Sequence, residues 1–132
     1  MKRIVLILIV LSIIGCVSAQ TAVLPQGSGT KSDPFQISTL SNLFWIATRV
    51  NNDLYGFQGE FFIQTADINA FETQDWNNEQ GWIPIGYRNA SYSPKFRGYY
   101  DGSGHNISGL YINRPEATYG YSDYEPSGLF GN

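Results

Sequence analysis

The sequence predicts a mainly β fold, and the first reason is its composition. All the aromatic residues, 3 Trp, 9 Tyr and 8 Phe, lie after residue 19, together with abundant Gly, Asn and Ser. Aromatic residues favour strands, whereas Gly, Asn and Ser favour tight turns. The second reason is the segment 96–112, which reads FRGYYDGSGHNISGLYI, two strand-like runs joined by a glycine-rich turn. An all-β surface protein is therefore the first expectation.

The N-terminus has the three parts of a secretory signal. Lys2 and Arg3 supply the charged start, residues 4–14 form an apolar run, and Val-Ser-Ala at 17–19 is a small-residue cleavage site. The run is shorter than the roughly 20 apolar residues that a bilayer needs, and no later segment is apolar enough to span one. We therefore expect a secreted or cell-surface protein. Cys16 leaves lipoprotein anchoring open, because the residues before it resemble a bacterial lipobox.

Cleavage after residue 19 would leave 113 of the 132 residues, enough for a single domain with a modest core. Residues 20–31 are small, polar and Gly-rich and are predicted to be a flexible lead-in, so the domain is placed at 32–132. Loss of the two basic signal residues changes the formal charge from −3 to −5 and leaves no basic cluster, which argues against nucleic acid as a partner. The shortened chain has no cysteine, which excludes disulfides and favours a bacterial source.

One helix is predicted, directly after a short strand at 35–37. Ser38 or Thr39 can cap it, because a hydroxyl group can accept a hydrogen bond from a free amide of the first turn. Apolar residues then recur at spacings of three and four, the period of one helical face. They are Leu40, Leu43, Phe44, Ala47 and Val50. Asn-Asn-Asp at 51–53 ends the stripe.

Further short strands are predicted along the chain. Residues 61–65 are apolar and β-favouring, 66–69 continue them more weakly, and 73–80 are polar. Residues 82–86 form another strand, in which Pro84 favours an edge.

The clearest strand pair is formed by 96–101 and 107–112. The glycines of the turn at 102–104 permit the positive φ angles that a tight turn needs. Residues 89–94 and 114–127 are predicted to be loops.

Taken in order, several segments resemble the N-terminal part of bacterial surface proteins that carry the GLUG motif. They are GSGT at 27–30, DPFQI at 33–37, the helix, WIPIG at 82–86, FRG at 96–98, DGSGH at 101–105, ISGL at 107–110 and GLFG at 128–131. The resemblance covers almost all of the chain after the signal. It implies the start of a right-handed parallel β-helix, a solenoid, whose N-terminal amphipathic helix caps the first coil.

The chain also departs from this family, which predicts either an incomplete solenoid that is truncated at its C-terminal end or a capped stub that lacks its array. A repeat array needs about three or more units for stability, whereas Gly-Leu-Phe-Gly occurs once here. Leu129 and Phe130 would then lie at an unfinished edge, through which the protein could associate with itself. The helix would protect the apolar core and strand edges of the first coil.

No catalytic residue, metal site or cofactor is predicted. His105 lies near Asp101 and Ser103, but a hydrolytic triad needs an oriented imidazole on rigid structure, and these three share one flexible turn. Asp101, with Asp123 and Glu125, could offer oxygens to calcium, yet neither common calcium-loop pattern is present. A single histidine without a mature cysteine also argues against zinc.

Other polar candidates are expected to be incidental. Four carboxylates could supply the acid pair of a glycosidase, but nothing in the sequence pairs two of them, so solvent-exposed loop charges are expected. They are Glu60, Asp67, Asp75 and Glu79. The N-glycosylation patterns at 89–91 and 106–108 matter only in a eukaryotic secretory pathway.

Aromatic side chains are the predicted ligand-binding groups. Exposed rings can pack against sugars or a partner protein, combining contact area with a polar handle. Eight of the nine tyrosines lie from Tyr87 onward. The candidates are Trp76, Trp82, Tyr99, Tyr100, Tyr119, Tyr121 and Tyr124. Tyrosine is also simply a good strand and loop residue, which is the alternative reading.

These patterns predict an exported bacterial surface protein with a non-enzymatic role in adhesion or binding, for a carbohydrate or protein ligand. One alternative is the N-terminal part of a β-helical polysaccharide lyase or hydrolase whose catalytic residues lie in later coils. The other is a structural spacer.

Overall fold

The computed structural model describes residues 20–53, 57–87, 94–114 and 128–131. The elements in chain order are β1 (Phe35–Ile37), α1 (Leu40–Asn52), β2 (Phe61–Gln64), β3 (Ile68–Asn69), a 3-10 helix (Phe71–Asp75), β4 (Tyr99–Asp101) and β5 (Ile107–Ser108). The predicted signal at 1–19 lies outside the described residues.

The helix α1 confirms the sequence prediction. Thr39 has extended backbone angles, and its side-chain oxygen accepts a hydrogen bond from the Asn42 amide at 3.2 Å. This is the usual way in which an N-cap satisfies a free amide of the first turn. The buried apolar residues of α1 follow the helical period and form one face. They are Leu40, Leu43, Ile46, Ala47 and Val50.

All strand pairs are parallel and join residues that are distant in sequence. The larger sheet has the order β1-β2-β4, and the smaller sheet pairs β3 with β5. In the larger sheet, Phe35 lies opposite Phe62, and Phe62 lies opposite Tyr100. In the smaller sheet, Ile68 lies opposite Ile107. Parallel pairs need long crossover connections, and here the intervening segments supply them.

The prediction of a mainly β fold that begins a right-handed parallel β-helix is wrong. The helix α1 has 13 residues, whereas the longest described strand, β2, has four. The described strands form two small sheets, and no solenoid is seen among them. The resemblance predicts stacked coils, whereas the described segments between the short strands run largely as turns, bends and single bridges. Without a solenoid coil to cap, α1 packs its apolar face into the shared core.

Two local predictions are also wrong. The runs at 96–101 and 107–112 do not pair with each other, because β4 pairs with β2 and β5 pairs with β3. The turn between them does form, with the His105 amide donating to the Gly102 carbonyl at 2.9 Å. The predicted strand at 82–86 is absent, and this segment makes only an isolated bridge between Ile85 and Phe130. The 3-10 helix was not predicted, because its sequence FETQD carries no apolar period.

The core is one cluster to which the helix, the strands and the 76–85 segment all contribute. Its buried apolar residues are Ile37, Leu40, Leu43, Ile46, Ala47, Val50, Phe57, Phe62, Ile68, Ala70, Trp76, Trp82 and Ile85. Residues from the later part of the chain are half-buried against it, including Phe96, Tyr100 and Phe130. Burial of this apolar surface is the main favourable term in the stability of the fold.

Two asparagine side chains of α1 hold loops against the helix. Asn42 donates to the Val23 carbonyl at 3.0 Å, which attaches part of the 20–31 segment to α1. Asn51 donates to the Pro84 carbonyl at 3.0 Å and accepts from the Gly86 amide at 2.8 Å. The sequence had indicated only that Asn51 ends the helical stripe. Its side chain also satisfies backbone groups 33 and 35 residues away.

Candidate ligand-binding surface

The candidate site lies on the outer face of the three-stranded sheet. Successive side chains of a strand point to opposite faces, so β2 and β4 each direct some residues inward and others outward. Phe62 points inward and is 1% exposed, whereas Tyr99 points outward and is 62% exposed. Phe61 lies opposite Tyr99 in the strand register. The register therefore places Phe61 and Tyr99 side by side on the outer face.

Phe61 and Tyr99 form a stacked aromatic pair. Their ring centroids are 4.7 Å apart and the ring planes differ by 15°. This distance is close to the spacing of neighbouring strands, about 4.8 Å, so the sheet itself holds the two rings in contact. β4 is the outermost described strand on its side of the sheet, which leaves much of the Tyr99 ring open to solvent.

A groove of about 330 Å³ crosses this face. Its volume is near the lower end of the range for small-molecule sites, about 300–1,000 Å³. It is lined by Lys31, Pro34, Phe61, Phe62, Ile63, Tyr99, Tyr100 and Asp101. Lys31 and Asp101 are the charged residues of the lining, and the rest is mainly apolar or aromatic. We call this surface the Phe61–Tyr99 groove.

Asp101 is held in place by the turn that follows β4. Its Oδ1 atom accepts a hydrogen bond from the Ser103 amide at 2.8 Å. Because Asp101 is two residues after Tyr99 in the same strand, both side chains project from the same face. The groove therefore has a fixed carboxylate beside an exposed ring. This hydrogen bond ties the Asp101 side chain to the turn that follows its own strand.

Tyr100 points the other way and supports the groove from below. Its hydroxyl donates to Gln64 Oε1 at 3.1 Å. Gln64 is 2% exposed, and its Nε2 atom donates to the carbonyls of Ala66 at 2.9 Å and Asn106 at 3.2 Å. The buried Gln64 amide therefore has hydrogen-bond partners for both its oxygen and its nitrogen, and these bonds link the two sheets. Burial raises the pKa of Tyr100 to about 12.

The raised pKa of Tyr100 predicts a loss of stability in alkaline solution. The ordinary pKa of tyrosine is 10.0, so below about pH 10 the phenol is neutral in both states and its full contribution to the free energy of unfolding is present. Between pH 10 and 12 the phenol ionises more readily in the unfolded protein than in the folded one, so this contribution is lost as the pH rises. Tyr100→Phe should be less stable at pH 8, by about 1 kcal/mol for the missing hydrogen bond. Its unfolding free energy should fall less steeply between pH 10 and 12. Urea unfolding across this range measures both effects, and equal slopes for the two proteins would contradict the assignment.

The structure places the two predicted tryptophans in the core. Trp76 is 3% exposed and Trp82 is 0% exposed, so a ligand at the surface does not reach either ring. The rings stack with centroids 6.1 Å apart, and Trp82 Nε1 donates to the Leu129 carbonyl at 3.3 Å. Several other predicted residues lie outside the described ranges. They are Cys16, Tyr119, Tyr121, Tyr124, Asp123, Glu125 and the pattern at 89–91.

His105 contacts Asp67 rather than Asp101 or Ser103. The His105 Nδ1 atom is 3.3 Å from Asp67 Oδ1, and the Asn106 amide donates to the same oxygen at 2.9 Å. The Asn106 hydrogen bond, followed by that of His105, lowers the pKa of Asp67 below its ordinary value of 3.8. Asp67 is largely exposed, so this contact joins two loops at the surface. It does not build the buried acid and oriented base of a triad.

The remaining candidate carboxylates differ in their exposure. Asp75 and Glu79 are exposed and Glu60 is half-buried. In the part of the chain that the structure describes, no three His, Cys, Asp or Glu side chains are grouped in a way that could hold a metal ion. The same part contains no helix with the length and apolar character needed to cross a bilayer.

Comparison with known proteins finds similarity to two much longer proteins. The chain is 33% identical over 113 residues to a protein of Evansella cellulosilytica named as a Gly-rich membrane protein, an alignment that covers 86% of this chain and 11% of the relative. It is 36% identical over 110 residues to halomucin of Haloquadratum walsbyi, covering 80% of this chain and 1% of that protein. No family profile matches the chain. No solved structure matches it either.

The chain spans about a tenth of the first relative and about a hundredth of the second. The similarity therefore concerns one segment of two large proteins.

Proposed function

We propose that this chain belongs to an exported, surface-associated protein and that it binds carbohydrate without catalysing a reaction. The names of the two relatives support the location, because one is named as a Gly-rich membrane protein and the other as halomucin. The predicted secretory signal at 1–19 supports export by an independent feature of the sequence.

The observation that carries the binding role is the stacked pair of half-buried Phe61 and exposed Tyr99. Two rings held by neighbouring strands offer a rigid contact area that loses little conformational entropy when a ligand binds. The apolar C–H face of a sugar ring can pack against such a surface, while its hydroxyl groups reach polar groups at the border. Lys31 and Asp101 supply those polar groups in the groove. A mostly apolar site with a few placed polar groups is the usual design of a ligand site.

Membership of the GLUG-motif surface proteins stays part of this proposal, as a statement about relationship and location. It rests on the order of the glycine-rich segments, from GSGT at 27–30 to GLFG at 128–131. A surface location agrees with that resemblance, whereas a defined activity does not follow from it.

Removing either ring of the Phe61–Tyr99 pair should weaken carbohydrate binding. We expect Tyr99→Ala and Phe61→Ala each to weaken binding about tenfold, or about 1.4 kcal/mol, because each loses part of the stacking surface. Affinity electrophoresis in gels that contain soluble polysaccharides measures the change. Phe71→Ala is the matched control, because Phe71 is 60% exposed but lies outside the groove. Binding that survives the Phe61→Ala and Tyr99→Ala double variant, or that Phe71→Ala reduces equally, would contradict the site.

The other readings of the sequence stay predictions with their own tests. Polysaccharide cleavage that disappears in His105→Ala would favour the enzyme reading. A protein ligand captured through the same rings would favour adhesion to protein. A spacer role would gain if changes in the groove and in the tyrosine-rich loops altered no binding at all.

A further inference from the structure

The two charged residues of the groove belong to chain segments on opposite sides of β2. Lys31 lies before β1, Asp101 ends β4, and β2 runs between these two strands. Neighbouring strands are about 4.8 Å apart, so β1 and β4 are separated by roughly 10 Å across the sheet. This face of the sheet is therefore wide enough for a ligand that is longer than one sugar ring.

The two charges have complementary hydrogen-bonding roles. An ionised carboxylate such as Asp101 only accepts hydrogen bonds, whereas the ammonium group of Lys31 only donates them. A sugar hydroxyl can do both and can therefore bind either charged group. The Ser103 amide already occupies Asp101 Oδ1, which orients the carboxylate and leaves Oδ2 to accept from a ligand. Such a group is positioned before the ligand arrives, which lowers the entropic cost of binding.

The charge balance of the groove favours an uncharged ligand. One cation and one carboxylate line it, so a polyanion would be attracted by Lys31 and repelled by Asp101. The whole chain carries a formal net charge of −3, which also repels polyanions. A polycation would be attracted by the net charge but would meet Lys31 within the groove. A neutral sugar chain avoids both penalties.

We propose that the Phe61–Tyr99 groove binds a neutral oligosaccharide of at least two sugar units, with Asp101 and Lys31 as its polar anchors. This inference rests on the proposed carbohydrate-binding function and names the ligand class for the same site. The rings supply the apolar contact, Asp101 accepts from hydroxyl groups of the ligand, and Lys31 donates to others.

Affinity electrophoresis with polysaccharides of different charge tests this inference. The probes are laminarin, dextran and mannan as neutral polymers, alginate as a polyanion and chitosan as a polycation. We expect at least one neutral polymer to retard the protein and alginate not to do so. The disaccharide unit of the bound polymer should compete at least tenfold better than its monosaccharide.

Two variants test the anchors. Asp101→Asn should weaken binding about tenfold, although the asparagine carbonyl can still accept from the Ser103 amide and keep the turn. Lys31→Gln should weaken it about threefold to tenfold. Asp75→Asn makes the same charge change at an exposed position outside the groove and should have no effect. A thermal unfolding curve for each variant checks that its fold is intact.

The outcomes separate this inference from the proposed function. Binding that depends on Tyr99 but is confined to alginate, chitosan or a protein ligand would overturn the inference, as would neutral-polymer binding that Asp101→Asn leaves unchanged. Failure of all three neutral polymers would overturn it too. If the protein binds any of these polysaccharides and Tyr99→Ala removes that binding, the proposed function still stands. If Tyr99→Ala reduces the binding of none of them, both the inference and the proposed function are wrong.

Discussion

Gly81→Ala should destabilise the protein by about 2–5 kcal/mol, because two separate penalties meet at this position. Gly81 has a φ of +79°, a conformation that a side chain disfavours. A Cβ atom built there would also lie 2.2 Å from the Tyr111 carbonyl oxygen, and backbone atoms cannot move aside as a flexible side chain can. The substitution must therefore separate 81 from 111, where the chain forms an isolated bridge between Gly81 and Ile112.

Gly59→Ala is the matched control for this variant. Gly59 also has a positive φ, +92°, but nothing lies within 4 Å of a Cβ atom at this position. Gly59→Ala should therefore lower the free energy of unfolding only through the unfavourable φ angle, by about 1–2 kcal/mol. Urea unfolding of both variants gives the difference that is due to the close contact with Tyr111. Equal destabilisation would show that segments 81 and 111 do not approach each other as closely as described.

Trp82→Ala should cost about 3–5 kcal/mol, the range for truncating a large buried aromatic residue. Trp82 is 0% exposed and has aromatic neighbours on more than one element, with Trp76 at 6.1 Å and Phe44 at 6.4 Å between ring centroids. Its Nε1 atom also donates to the Leu129 carbonyl at 3.3 Å. Truncation leaves a cavity between α1 and the 76–85 segment. It also removes the hydrogen bond that holds the Leu129 carbonyl against this segment.

Two further variants show whether the loss of stability comes from the buried position of the Trp82 ring or from truncating any aromatic side chain. Trp82→Phe keeps much of the ring volume and loses the indole hydrogen bond, so it should cost less than Trp82→Ala. Phe71→Ala truncates a ring that is 60% exposed and should cost least. Thermal or urea unfolding provides this order. If Trp82→Ala proved as mild as Phe71→Ala, then Trp82 would not lie in the core, and its prediction as a surface ligand-binding residue would regain support.

Local features of the sequence were enough to predict α1 and the first strands. The helix depends on an apolar period within 11 residues and on a cap at Thr39, three residues before the amide that it binds. β1 was predicted at 35–37 and observed there, and β2 was predicted at 61–65 and observed at Phe61–Gln64. These signals arise from neighbouring residues, so they do not require knowledge of the rest of the fold.

The candidate site was predictable only in part. Tyr99 was named from sequence as a ligand-binding aromatic residue and is exposed in the groove, although binding itself stays a prediction. Its partner Phe61, 38 residues earlier, was seen only as part of an apolar strand. Trp76 and Trp82 carried the same aromatic signal as Tyr99, yet they are buried. The residue type reports that a ring is present, whereas burial depends on which elements pack around it.

Sequence by itself determined the helix with its cap, the first two strands and the turn after β4, because each depends on contacts within a few residues. Only the tertiary structure decided that β4 pairs with β2 instead of β5, that Asn51 holds the loop at 84–86, and that Phe61 stacks on Tyr99. Each of these contacts joins residues more than 30 positions apart. Their free energy depends on burial, register and satisfied hydrogen bonds across the whole fold, which no local pattern of residues encodes.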